Sequence, residues 1–270
     1  MPGIKFIHST ANPDAPVAYC SFTAMHTVIE ILFVHEDEQK SREIGEAVRD
    51  LTTELETKLS RHIATSDLAK LNSSLDAVAV NQELYFSLEL CEQFRAATRG
   101  YFDIAALSAS RHRPAYETLP AEHKARRCGK DTRLDLGGYA KGFALDKVKN
   151  LLAGTYGIEN ALINFGNSSI AGLGHHPLGD CWPVSPAKAG SGQTFRLRDS
   201  ALSISGKTAG VVEHIIDPVT GSHASKDKDI AVQGPSALVC EILSTALYAA
   251  PREMWPALLQ NFAAYKAEEI

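Results

Sequence analysis

The chain has no CxxC pair, no apolar run long enough to span a bilayer, no internal repeat and no low-complexity linker. Its five cysteines, Cys20, Cys91, Cys128, Cys181 and Cys240, are odd in number, which argues against a paired disulfide framework; the missing CxxC argues against a zinc ribbon. Reduced thiols fit best, and the expected setting is cytoplasmic. Residues 1–19 lack an apolar stretch of the signal-peptide kind, so neither a leader nor a transmembrane segment is visible, and Cys20 does not read as a lipid-attachment site. An exported chain with its leader removed is the alternative. Basic clusters are also scarce: the net charge is −5, and the one basic stretch, HKARRCGK at 123–130, reads as a solvated loop. That balance argues against a nucleic-acid footprint.

What remains is ample material for a core. With 270 residues, 44% of them apolar, the chain can form one large domain or two coupled lobes. VIEILFVH at 28–35 predicts a strand; Ile44, Val48, Leu51, Leu55 and Leu59 recur at helical spacing within 36–60. A second helix is expected over 82–98, with Leu84, Leu88, Cys91 and Phe94 on one side and Gly100 beyond its end. Residues 104–130 show no clear period and hold Pro114 and Pro120, so irregular chain or short helical turns are expected there. A helix follows over 139–153, then two β-like runs around a Gly-Asn turn in ENALINFGNSSIAGLG, and a Gly-, Pro- and Ser-rich segment over 174–200. Short strands are expected near 201–204, 212–216 and 229–233, then a helix that starts near Pro235 and ends before Pro251. Irregular alternation of strands and helices gives a mixed α/β, α+β architecture.

Two segments carry candidate chemistry. KDTRLDLGGYAKGFALDKVK at 130–149 reads as an apolar strand running through Gly137 and Gly138 into an amphipathic helix. Such a helix start offers unpaired N–H groups to an anion, and Lys141 adds a movable positive charge. The spacing matches neither GxxxxGK[ST] nor GxGxxG, so a plain strand-to-helix link explains it equally well. Glu241 and Thr245, four residues apart on the expected last helix with Ser244 beside them, set oxygen ligands of the kind a hard cation prefers. The bland alternative is a half-buried helical acid and a threonine bonded back to its own helix.

In chain order the sequence also reads MHT (25–27), SRHIATSDLAKLN (60–72), TRGYFD (98–103), DLGGYAKGFALD (135–146), HIIDPVTG (214–221) and CEILSTAL (240–247). This ordered set resembles the FAD:protein FMN transferases, the ApbE-like flavin transferases. The resemblance implies two closely joined lobes with FAD between them, an N-terminal extension over 1–19 and a single domain over 20–270. Flavin dinucleotide contacts carry over to Met25, His62, Tyr101, Phe102, Asp103, Asp135, Lys141 and Ile216. A metal site carries over to Gly138, Glu241, Ser244 and Thr245, with Mg²⁺ the implied ion. His214 is the implied base for the acceptor hydroxyl, and Lys141 and Glu241 complete the catalytic set. DPVTG reads as a structural turn with Gly221 in a permissive conformation.

The implied activity moves FMN from FAD to a Ser or Thr hydroxyl of an acceptor protein and releases AMP. The chain departs from the pattern at Glu241, where the family carries Asp, which moves the carboxylate by about 1.5 Å. It also departs at Gly166-Asn167-Ser168, at His26 and at His62, and FAAYKAEEI is expected to stop short of the hairpin usual after the last helix. These departures keep two alternatives in view: an FAD pyrophosphatase releasing FMN and AMP, and a flavin-binding protein without turnover.

Overall fold

The computed structural model describes residues 3–109, 113–186, 193–206 and 215–270. In chain order the elements are β1 (Lys5–Ser9), β2 (Val17–Ala24), β3 (Thr27–Val34), α1 (Glu38–Leu59), α2 (Asp67–Ser73), β4 (Val78–Ala79), α3 (Gln82–Ala97), β5 (Tyr116–Leu119) and β6 (Lys124–Arg127). They continue with α4 (Ala140–Asn150), β7 (Ala161–Phe165), β8 (Ser169–Leu173), β9 (Trp182–Val184), β10 (Phe195–Leu197), β11 (Ser200–Ser205), β12 (Ile230–Gly234), α5 (Ala237–Ala249), α6 (Trp255–Leu259) and β13 (Lys266–Glu269).

An eight-stranded antiparallel sheet in the order β1-β2-β3-β7-β8-β11-β12-β13 forms the frame of the larger lobe. Period-two alternation decides what each face meets. Ile29, Ile31, Phe33, Ile163 and Phe165 join Ile44 and Val48 of α1, Leu145 and Val148 of α4, and Leu243 and Leu247 of α5 in the main core. The opposite face carries Ile170, Leu202 and Ile204 against Trp182, Phe195 and Leu197 of the β9–β10 hairpin.

The smaller lobe gathers Leu68, Leu71, Leu84 and Leu88 of α2 and α3 with Phe102, Leu134 and Leu136, beside the three-stranded sheet β4-β6-β5. Helix α5 serves both cores. Leu238, Ile242 and Ala246 recur every four residues on the face toward the smaller lobe, while Cys240, Leu243 and Leu247 face the main core.

Several expectations need correction. Residues 104–130 hold the β5–β6 hairpin, and HKARRCGK supplies β6; Arg127 is buried and donates to the carbonyls of Ser74 (3.0 Å) and Thr132 (2.7 Å). The apolar run before Gly137 is extended but belongs to no sheet. Its Leu134 is gripped by the Asn72 side chain through two 2.8 Å bonds, and the Asp135 N–H donates to the Ile104 carbonyl at 2.7 Å. The Gly-, Pro- and Ser-rich segment contains β9 and β10. The closing residues, for which no strand was expected, form β13, which pairs antiparallel with β12 at an edge of the sheet. At the other end, residues 5–19 supply β1 and the start of β2. Of the strand expected over 212–216, residues 212–214 lie outside the described residues, and Ile216 bridges His223.

Candidate active site

A cavity of about 710 Å³ opens between the lobes, with walls from the β2–β3 turn, the segment after α1, residues 101–107, the start of α4 and one side of α5. Met25, His62, Tyr101, Phe102, Asp103, Asp135, Gly138, Lys141, Ile216, Glu241 and Thr245 all line it. His214 lies outside the described residues. Ser244 is taken elsewhere: it is fully buried, 3.1 Å from the Ser203 hydroxyl and 2.8 Å from that of Ser205, on the side of α5 that meets the sheet.

The floor is built where α4 crosses α5. Gly142 permits that crossing, because a Cβ there would stand 2.7 Å from the Ala237 carbonyl and 2.8 Å from Glu241 Cβ. One turn earlier, Gly138 lies against Thr245, with a Cβ position 3.1 Å from Thr245 Oγ1. Asp146 holds the start of α5 by accepting from Ser236 Oγ (2.6 Å) and the N–H groups of Ala237 (2.9 Å) and Leu238 (3.0 Å). Here a carboxylate from one helix satisfies the open N–H groups of the next. Lys141 forms an ion pair with Glu241 Oε1, while Glu241 Oε2 accepts from Ser169 and, at 3.1 Å, from Ser203.

Those oxygens decide whether a hard cation suits the site. Oε2 has both of its lone pairs engaged by serines; among the described residues Oε1 accepts from Lys141 alone, which leaves one lone pair for a cation. Together with Thr245 Oγ1 and the Gly138 carbonyl, this is an all-oxygen donor set holding a single carboxylate. It fits the Mg²⁺ habit of taking one or two protein carboxylates plus ligand phosphates. Among the described residues no cluster of three or more His, Cys, Asp or Glu could hold a metal by itself.

The walls are equally specific. Asp135 pairs with Arg61 Nε at 3.1 Å and accepts from the Gly137 N–H at 3.0 Å, so it caps the turn before α4 while also lining the cavity. Asp103 pairs with Arg113 and accepts from the Ala105 N–H at 2.8 Å. Burial lowers the Arg113 guanidinium from its ordinary range, and neighbouring Arg95 pushes the same way. DPVTG is the expected turn: Asp217 accepts from Val219 N (2.8 Å) and Thr220 Oγ1 (2.7 Å), and Gly221 has φ +75°.

Sequence reasoning assigned no site role to His26, which it marked only as a departure, or to His223 and Arg61, all of which line the cavity, nor to Ser169 and Ser203, which hold Glu241. The serines left little signal, because β11 is buried on both faces and Ser203 sits there as one more small residue in line with Ala201.

The family model for the ApbE family matches residues 25–267. The chain belongs to the ApbE family. Two curated relatives are named FAD:protein FMN transferase. The one from Treponema pallidum (strain Nichols) is 31% identical over 171 residues, which is 56% of this chain and 47% of the relative. The one from Chlamydia muridarum (strain MoPn / Nigg) is 24% identical over 189 residues, or 58% of each. The match thus spans about half the length of these relatives. In fold the chain is similar to the flavin transferase ApbE from Vibrio cholerae (TM-score 0.75, 18% identity, covering 99% of this chain and 97% of that one). It is also similar to the ApbE protein from Thermotoga maritima (TM-score 0.78, 18% identity, covering 98% and 94%).

Proposed function

We propose that this protein transfers FMN from FAD to a Ser or Thr hydroxyl of an acceptor protein and releases AMP. The observation that carries the reading is the convergence of Lys141, Glu241, Gly138 and Thr245 on the floor of one cavity between the lobes. The names of its curated relatives support the same reading.

Lys141 brings an ammonium to the place where a pyrophosphate needs its charge neutralised, and such electrostatic stabilisation is the main contribution a protein makes to phosphoryl transfer. Met25 and Ile216 offer polarizable and apolar surface to an aromatic ring, and Tyr101 and Phe102 extend that surface. Asp135, oriented by Arg61 and Gly137, retains acceptor capacity for ligand amine or hydroxyl groups. Mg²⁺, held by Glu241, Thr245 and the Gly138 carbonyl, would supply further positive charge to the phosphate oxygens. In the transfer, the acceptor oxygen bonds to the FMN phosphorus, the phosphorus–oxygen bond to AMP breaks, and the hydroxyl proton passes to a base. His214 is our candidate for that base. All five cysteines are free, which supports a reducing, cytoplasmic setting, and no described helix is long and apolar enough to cross a membrane.

The test incubates the purified chain with FAD and Mg²⁺, with and without a peptide carrying an acceptor Thr, and follows AMP, free FMN and peptide mass. Flavinylated peptide together with AMP is the expected result. AMP with free FMN regardless of peptide overturns it in favour of a pyrophosphatase, and FAD binding without AMP in favour of a flavin carrier. Glu241→Ala is expected to abolish the metal-stimulated part of turnover, read from AMP release against Mg²⁺ concentration.

A further inference from the structure

We infer that Ser169 and Ser203 act as positioning residues: they clamp Glu241 so that its carboxylate holds Lys141 in place at the cavity wall before any metal binds. The inference deepens the flavin reading of the site and rests on it.

Ser169 on β8 and Ser203 on β11 are direct cross-strand partners, and both side chains leave the sheet toward α5. Both hydroxyls donate to the same atom, Glu241 Oε2. Behind them Ser244 touches the hydroxyls of Ser203 and Ser205 and donates to the Glu241 carbonyl at 3.1 Å. Glu241 is 5% exposed, and its serine neighbours are 1% and 2% exposed. A carboxylate so enclosed carries a large desolvation cost unless its oxygens are satisfied, and among the described residues the bonds it accepts come from Ser169, Ser203 and Lys141.

Orientation follows from this division of labour. With Oε2 held by the sheet, Oε1 is turned toward Lys141, whose side chain reaches across from α4. A lysine on a four-carbon stem otherwise samples many rotamers, and fixing its ammonium in advance removes that ordering cost from ligand binding. The serines never line the cavity, so their effect must pass through Glu241 and Lys141.

The experiment measures FAD affinity by flavin fluorescence in EDTA, without Mg²⁺, for the wild type, Ser169→Ala/Ser203→Ala, Lys141→Met and the triple variant; thermal melts verify folding. Loss of bonds to a charged group predicts that the serine pair and Lys141→Met each weaken FAD binding about tenfold. The triple variant is expected to bind no more weakly than Lys141→Met, because the serines act only through that lysine. Ser203→Thr, which keeps the hydroxyl, is expected to retain wild-type affinity. Single Ser169→Ala serves if the pair unfolds, with the same non-additivity against Lys141→Met. Unchanged affinity in the serine variants, or losses that multiply in the combined variant, overturns the positioning role while leaving the flavin reading intact. A wild-type chain that binds no FAD with or without Mg²⁺ overturns that reading and this inference together.

Discussion

Met25 and His26 have φ values of +52° and +57°, and together they make the two-residue link in which Ala24 of β2 pairs with Thr27 of β3. A hairpin turn of this kind asks for two left-handed residues, and Asn-Gly is its usual answer because a side chain there meets the backbone. His26 pays that cost at the cavity rim, where its ring stands edge-on to His62 at 5.4 Å between centroids. His26→Gly is therefore expected to raise stability by about 0.5–1 kcal/mol, measured by denaturant unfolding. A fall in stability would mean that the contact with His62 outweighs the strain. Neither the turn strain nor the ring contact was readable from MHT alone, since both depend on where β2 and β3 pair.

Between elements, the decisive joint is the one that Asp146 makes. Its carboxylate accepts from three donors at the start of α5, and Lys149 from the same helix donates to the Pro235 carbonyl at 3.0 Å. Asp146→Ala is expected to cost about 1–2 kcal/mol as a lost helix cap and to lower turnover as well, because α5 carries Glu241 and Thr245. Asparagine at 146 is expected to recover part of both losses. A second joint links α2 to the N-cap of α3: Asp67 accepts from the backbone and side-chain N–H groups of Asn81 at 2.7 and 2.8 Å, and from Lys70. Burial pushes the Asp67 carboxyl up, but these bonds outweigh it and the net shift is below its ordinary 3.8. A depressed carboxyl stabilises the fold above its unfolded value and loses that contribution as pH falls through the folded one. Below about pH 4 the wild type should lose stability more steeply than Asp67→Asn, as acid titration at fixed denaturant would show.

At this same scale the sequence was legible wherever a period ran long enough. The apolar spacings of α1 and α3 and the two β-like runs around the Gly-Asn turn that became β7 and β8 each gave the right element. KARR failed because charged residues in a four-residue strand look like loop, while Arg127 is buried by capping carbonyls that come from other segments. The run before Gly137 alternates like a strand, with Leu134 and Leu136 buried, but a side chain and a lone carbonyl stand in for the neighbouring strand. Of the site, the cavity-lining residues given by the motifs came together; the serines under Glu241 did not announce themselves, because small polar residues on a core face read as filler until their partner is known.

For the whole molecule, α5 makes the two lobes one thermodynamic unit. Ile242 is fully buried in the smaller core and Leu243, its immediate neighbour, in the larger. Truncating either to Ala is expected to cost about 2–5 kcal/mol and to lower one shared transition. Two separated transitions in calorimetry, with only one of them moved by Ile242→Ala, would show that the lobes melt independently. The cavity between them is then held open by a shared beam and not by a hinge, which agrees with the close contact of α4 and α5 at Gly142.

That beam has a kinetic meaning too. Eleven of the thirteen residues of α5 are buried, so its central amides are released to solvent only by global unfolding. Hydrogen exchange should thus be slowest along the helix bearing Glu241 and Thr245 and faster at the rim around His62, giving the pocket a floor that outlasts its entrance.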